Sequence, residues 1–190
     1  MNAAEAGIAT RQDRRARLRE IIRELSLLQG GDFVLASGRR SGVFFNMKTA
    51  MLDPEAANLI ADEVLDLLDA EDVRFVGGLE LGAVPMVSAV CVKSAARHPL
   101  RAFIVRKKKK GHGTDKLIDG HIRAGANVVV FEDVTTTGGS VLQAVQAARA
   151  AGCTVSKAIT IVDRLEGAGE NLRAHGVELV ALFTRNDFMD

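Results

Sequence analysis

The residues from Val128 to Ser140 read Val-Val-Val-Phe-Glu-Asp-Val-Thr-Thr-Thr-Gly-Gly-Ser. Such an apolar, β-branched run predicts a buried strand. It delivers two adjacent carboxylates, Glu132 and Asp133, and a turn of hydroxyls and glycines then leads into an Ala-rich helical segment. The start of a helix carries free N–H groups and the positive end of the peptide dipoles, so it suits a phosphate. Gly138 and Gly139 would let the backbone approach the anion, and Thr135, Thr136, Thr137 and Ser140 would add hydroxyl donors. The two acids cannot bind a phosphate. They suit a sugar diol, or Mg²⁺ held through oxygen. A phosphate beside a diol describes ribose 5-phosphate. The spacing is neither a GxGxxG dinucleotide fingerprint nor a P-loop. The plainer alternative is a capped strand–turn–helix with exposed acids.

A second group is the run Arg106-Lys107-Lys108-Lys109-Lys110-Gly111-His112-Gly113. Alone it reads as a solvated face or a nucleic-acid patch. Its glycines permit motion, and it follows a predicted strand. It could therefore fold over a bound pyrophosphate as a cationic lid that stabilises the leaving group and excludes water.

These groups need elements to hold them. Leu18, Ile21, Ile22, Leu25 and Leu28 predict a helix over 11–28, stopped by Gly30-Gly31. Two extended runs, 33–35 and 43–45, flank a turn-rich stretch and predict a hairpin. Asp53 and Pro54 open another helix as cap and first residue. From residue 73 strands and helices alternate: strands at 73–78, 101–106, 127–131, 154–162 and 178–183, helices at 84–95 and 139–151, and a loop at 107–120. Repeated β-α-β units imply an α/β fold, a parallel sheet with helices on both faces. Ligands bind such sheets at the carboxyl ends of the strands, where both groups above fall.

With 190 residues, 47% of them apolar and 26% charged, the chain suits one globular domain, with 1–50 as an N-terminal helix and hood on an α/β core at 51–190. A formal net charge of +1 gives no case for nucleic acid or an anionic membrane as partner. Trp and Tyr are absent, so stacking platforms for single-stranded nucleic acid are few. Cys91 and Cys153 have no ligand pattern around them and read as reduced thiols in or near the core. No apolar leader or membrane-length stretch is present, so a cytoplasmic location is expected.

The 128–140 segment resembles the phosphoribosyl pyrophosphate (PRPP) signature of the type I phosphoribosyltransferases, implying that fold with a small N-terminal hood. The basic run narrows the resemblance to orotate phosphoribosyltransferases. It implies PRPP contacts from Arg106, Lys107, Lys110 and His112, together with Glu132, Asp133, Val134, Thr135, Thr136, Thr137, Gly138, Gly139 and Ser140. Lys110, His112 and Asp133 are its implied catalytic residues. Leu35 to Ser41 with Phe44-Phe45 is similar to the family's hood, and Asp163-Arg164 matches its Asp-Arg. Phe44, Phe45, Thr136 and Arg164 are thereby implied to bind orotate, the arginine through the carboxylate. The resemblance further implies Mg²⁺ carried mainly by PRPP and pyrophosphate, with no metal site of the protein's own. It also implies a homodimer whose active site is shared through Lys107. Neighbours on an extended strand point to opposite sides, so Arg106 would face its own PRPP and Lys107 the other subunit's. Two departures stand out: Ala36 replaces a lysine found in some members, and Glu80-Leu81-Gly82-Ala83 replaces a Tyr-Lys-Gly loop. The rival readings are a purine phosphoribosyltransferase and a non-catalytic regulator that senses nucleotides.

Overall fold

The computed structural model describes residues 10–34, 38–108 and 117–189. Helix α1 (Arg11–Ser26) opens with a capping box, in which Thr10 Oγ1 accepts from the Asp13 N–H and Asp13 Oδ2 accepts from the Thr10 N–H. Leu18, Ile21 and Ile22 are buried as the spacing predicts, but the helix ends at Ser26, before the glycines. The neighbouring helix α2 (Met47–Met51) and the residue before it take up its last polar groups. Asn46 N–H donates to the Ser26 carbonyl at 2.8 Å, and Thr49 Oγ1 donates to the Leu25 carbonyl at 2.7 Å. With the helix end satisfied by tertiary contacts, the chain runs straight into β1 (Leu27–Val34), antiparallel to β2 (Arg40–Phe45). Leu25 and Leu28, expected on the buried stripe, are exposed instead. Gly30 and Gly31 lie within β1, where the register shifts between Gln29 and Phe33. Helix α2 is too short for periodicity to reveal.

Asp53 caps helix α3 (Pro54–Leu68) by accepting from the Ala56 N–H at 2.9 Å. Then follow β3 (Phe75–Leu79), α4 (Val84–Ser94), β4 (Arg101–Val105), β5 (Ile118–Gly120), β6 (Asn127–Thr135), α5 (Gly139–Ala150), β7 (Thr154–Asp163), α6 (Ala168–Ala174) and β8 (Glu178–Thr184), with a closing 3₁₀ turn. The main sheet has the order β5-β4-β3-β6-β7-β8, parallel except for β5. β5 falls inside the segment expected to be a loop. It is three residues long and lies at the sheet edge, with no alternating pattern of its own.

Strand side chains alternate between two cores. Val129 and Phe131 pack with α1, α3 and α4 on one face. Val128 and Val130 pack with α5 and Leu172 of α6 on the other. Helices thus cover both faces, as the sequence predicts. β6 runs past the expected end at Phe131, because its ladder with β7 continues through Glu132 opposite Thr160 to Thr135 opposite Asp163. The two acids are therefore strand residues.

Candidate active site

The chain leaves β3 toward β4 and leaves β6 in the opposite direction, toward β7. Adjacent strands whose connections diverge leave a crevice at their carboxyl ends. A cleft of about 380 Å³ opens there, bordered by Glu80 and Gly82 after β3, Glu132 and Asp133 of β6, and Phe44 and Arg164. A second hollow of about 280 Å³ lies along Thr135 to Val141 and shares Glu132, Val134, Thr136 and Ser140 with the first.

That second hollow is the predicted phosphate loop. Gly138 has φ +83°, a left-handed conformation that side chains adopt at a cost, and it caps α5. A Cβ there would meet Leu172 Cγ at 3.3 Å and the Ala168 carbonyl at 3.5 Å. Gly138 is therefore set by backbone conformation and by α6 behind it. At Gly139 a Cβ would meet nothing within 4 Å, so this glycine borders the open hollow. Asn171 Nδ2 donates to the Thr137 carbonyl at 2.7 Å and ties the loop to α6. Nothing in the local sequence pattern marks Asn171. Thr135 is buried, and its hydroxyl donates to Asp163 Oδ1 at 3.2 Å, so Thr136, Thr137 and Ser140 carry the hydroxyls that are not committed in this way.

Glu132 is 5% exposed. Burial first, and then the negative Asp133 beside it, pushes its carboxyl well above the ordinary carboxylate range, while the Asp133 N–H and Lys107 pull the other way. The loop after β3 packs directly over the pair. A Cβ on Gly82 would come within 2.7 Å of Glu132 Oε1 and 2.9 Å of Asp133 Oδ1. A side chain at Gly82 would therefore force the acid pair to shift, and Glu80 Oε1 anchors the loop by accepting the Lys107 N–H at 2.9 Å. Lys48, which the sequence reading missed, reaches within 4.0 Å of Asp133 Oδ2 from α2.

Arg164 is 2% exposed yet borders the cleft. Its Nε donates to Glu166 Oε1 (3.0 Å), Nη1 to the Val43 carbonyl (3.1 Å) and Nη2 to Ser41 Oγ (3.0 Å). A guanidinium has five N–H donors, so two remain uncommitted among the described residues. Phe44 stacks on Phe33 with centroids 5.6 Å apart. Phe45 packs edge-on against Phe188 and is largely a core residue whose rim touches the cleft. Lys107 borders the cleft of its own chain, whereas Arg106 is absent from its lining and pairs with Asp119 of β5. The two neighbours thus make different contacts within the chain. Lys110, His112 and Ala36 lie outside the described residues.

An acid pair on a parallel strand, a glycine-hydroxyl loop at a helix start and a hood over both define the type I phosphoribosyltransferases. No family model matches the chain. It is 47% identical over 180 residues to an orotate phosphoribosyltransferase of Bradyrhizobium sp. strain BTAi1, covering 92% of this chain and 97% of that protein. It superimposes with a TM-score of 0.81 and 38% identity on the Mycobacterium tuberculosis H37Rv orotate phosphoribosyltransferase in complex with Fe(III) dicitrate, covering 92% of this chain and 98% of that one. For the same enzyme in complex with PRPP the TM-score is 0.76, at 33% identity over 93% of this chain and 92% of that one. The chain belongs to the orotate phosphoribosyltransferase family.

Proposed function

We propose that the protein transfers ribose 5-phosphate from PRPP to N1 of orotate, giving orotidine 5′-monophosphate and pyrophosphate in pyrimidine synthesis. The observation that carries this reading is a pair of adjoining hollows that bring together the glycine-hydroxyl loop, the acid pair and Arg164, two of whose N–H donors are not committed among the described residues. Thr136, Thr137, Ser140 and the free N–H groups at the start of α5 hold the 5′-phosphate. Glu132 and Asp133 hydrogen-bond the ribose diol. Glu132 retains a proton more readily than an ordinary carboxyl and so can donate as well as accept. Phe44 flanks the base, and Arg164 takes its carboxylate. N1 releases its proton to water, the bond from the anomeric carbon to pyrophosphate breaks as N1 attacks, and Lys107, with Lys110 and His112, offsets the charge growing on the leaving group.

Among the described residues no group of three or more His, Cys, Asp or Glu could hold a metal. Glu132 and Asp133, beside the open cleft, would help hold Mg²⁺ carried mainly by PRPP and pyrophosphate, and the ion would neutralise pyrophosphate charge. We read residues 1–190 as one phosphoribosyltransferase domain and the enzyme as a cytoplasmic homodimer with a shared site. No helix among the described residues is long and apolar enough to cross a membrane. In that shared site a cation of the basic run, Arg106 or Lys107, would reach the partner subunit's PRPP.

The direct test follows orotate absorbance with PRPP and Mg²⁺, alongside uracil, hypoxanthine and adenine. Turnover of orotate well above the other three is expected. Preference for a purine would overturn the reading, and no turnover of any base with tight nucleotide binding would favour a regulator.

A further inference from the structure

Glu166 has no part in the family resemblance, yet its carboxylate forms an ion pair with Arg164. Its side chain is only 13% exposed. One carboxylate oxygen accepts Arg164 Nε at 3.0 Å, and the other lies 3.2 Å from Arg39 Nη1. The turn between Arg164 and Glu166 is itself strained. Leu165 has φ +58°, the one non-glycine residue with positive φ among those described, although its side chain is large and half exposed. A left-handed leucine persists only where surrounding contacts impose it. Here Asp163 Oδ1 accepts the Leu165 N–H at 3.0 Å and the Thr135 hydroxyl at 3.2 Å, so β6 and β7 fix the turn together. The result places Arg164 and the carboxylate two residues later side by side.

We propose that Glu166 is a positioning residue that fixes the plane of the Arg164 guanidinium for a carboxylate-bearing base, and that Arg39 keeps the cluster cationic. This rests on the reading that Arg164 receives the base carboxylate. Recognition of a carboxylate by a guanidinium fork depends on the plane of the fork. The Val43 carbonyl and Ser41 hydroxyl hold the two Nη atoms from the hood, and Glu166 holds Nε from the core. A lone Arg164–Glu166 pair would be neutral and a poor host for an anion. Two guanidiniums on one carboxylate leave a net positive charge. Arg39 belongs to the hood, so hood placement and base selectivity are linked through one glutamate.

The experiment compares binding of orotidine 5′-monophosphate and uridine 5′-monophosphate, which differ only in the base carboxylate, by calorimetry. Glu166→Ala is expected to weaken the carboxylated nucleotide about tenfold and leave the other within about twofold, the scale of one misaligned charge-assisted bond. Glu166→Gln, whose amide oxygen can still accept from Nε, is expected to retain the wild-type ratio. Arg39→Gln, a change at an exposed residue that avoids any folding defect at Glu166, is expected to lower the ratio about threefold at low salt and not at high salt. Arg164→Lys run in parallel separates the two failures. If it leaves the ratio unchanged, the carboxylate reading itself is wrong. If it lowers the ratio while Glu166→Ala and Arg39→Gln do not, the positioning role is wrong. Equal weakening of both nucleotides by Glu166→Ala would show a general structural part and also overturn it.

Discussion

At the scale of single residues, two buried ionisable groups at the site have opposite demands. Arg164 commits three of its five N–H donors to Glu166, Val43 and Ser41, so in its proposed role the bonds left for the base carboxylate are few but fixed in direction. Charge-assisted bonds of roughly 1.5–3 kcal/mol imply a preference for orotate over uracil of at least about tenfold. Arg164→Lys keeps the charge and loses the fork, and should cut that preference in kcat/KM measured with both bases. Equal use of the two bases by the unaltered enzyme would remove Arg164 from this role. Glu132 presents the reverse case. Its folded pKa is raised, so the folded state binds the extra proton, and the stability this contributes is present below the ordinary carboxyl range and lost as pH rises through the raised value. Glu132→Gln should therefore raise Tm more near neutral and alkaline pH than in mild acid, while weakening PRPP binding. Thermal melts across pH check it; a constant increment, or none, would show that burial of this carboxylate carries no such cost.

At the scale of elements, the two loop glycines have different tasks although they are adjacent. A valine at Gly138 meets both the left-handed backbone and α6, so Gly138→Val should lower stability by roughly 1–3 kcal/mol along with its loss of PRPP binding. A valine at Gly139 projects into open space beside the hollow, so Gly139→Val should leave Tm nearly unchanged and still abolish PRPP binding. Denaturation with parallel calorimetry distinguishes them. Tight PRPP binding by Gly139→Val would place the phosphate elsewhere. The loop after β3 makes a related demand. Gly82→Ala drives a methyl against both acids, and activity should fall steeply in an enzyme that still folds.

At the scale of the whole molecule, the proposed shared site is tested by mixing variants at Arg106 and Lys107. In a two-fold dimer whose subunits donate Arg106, mixing Arg106→Ala with Gly139→Val gives heterodimers with one intact site each. With random pairing, about half the dimers are mixed and activity recovers to about a quarter of wild type. Lys107→Ala mixed with Gly139→Val should recover nothing, because both lesions then lie within their own subunits' clefts. Recovery in the second mixture and not the first, once heterodimers are shown to form, would return Lys107 to the donated role.

The strand–acid–turn–helix run from Val128 to Ser140, the alternation of strands with helices and the cap at Asp53 were legible because each depends on local chemistry: β-branched residues, capping oxygens and glycines in sequence. These were enough for the fold class. Other features depend on contacts between segments distant in sequence, and no local pattern records them. Helix α1 stops at Ser26 because Asn46 and Thr49 satisfy its end. β6 continues through two acids because β7 supplies a ladder and an open cleft receives their side chains. Lys48, Asn171 and Glu166 look like ordinary polar residues until the sheet and hood bring them to Asp133, Thr137 and Arg164. The sequence by itself determined which chemical groups the protein owns and the strands that carry them. Only the tertiary structure decided which of those groups face one another, because burial, charge pairing and the side to which a strand turns its residues are properties of the packed chain.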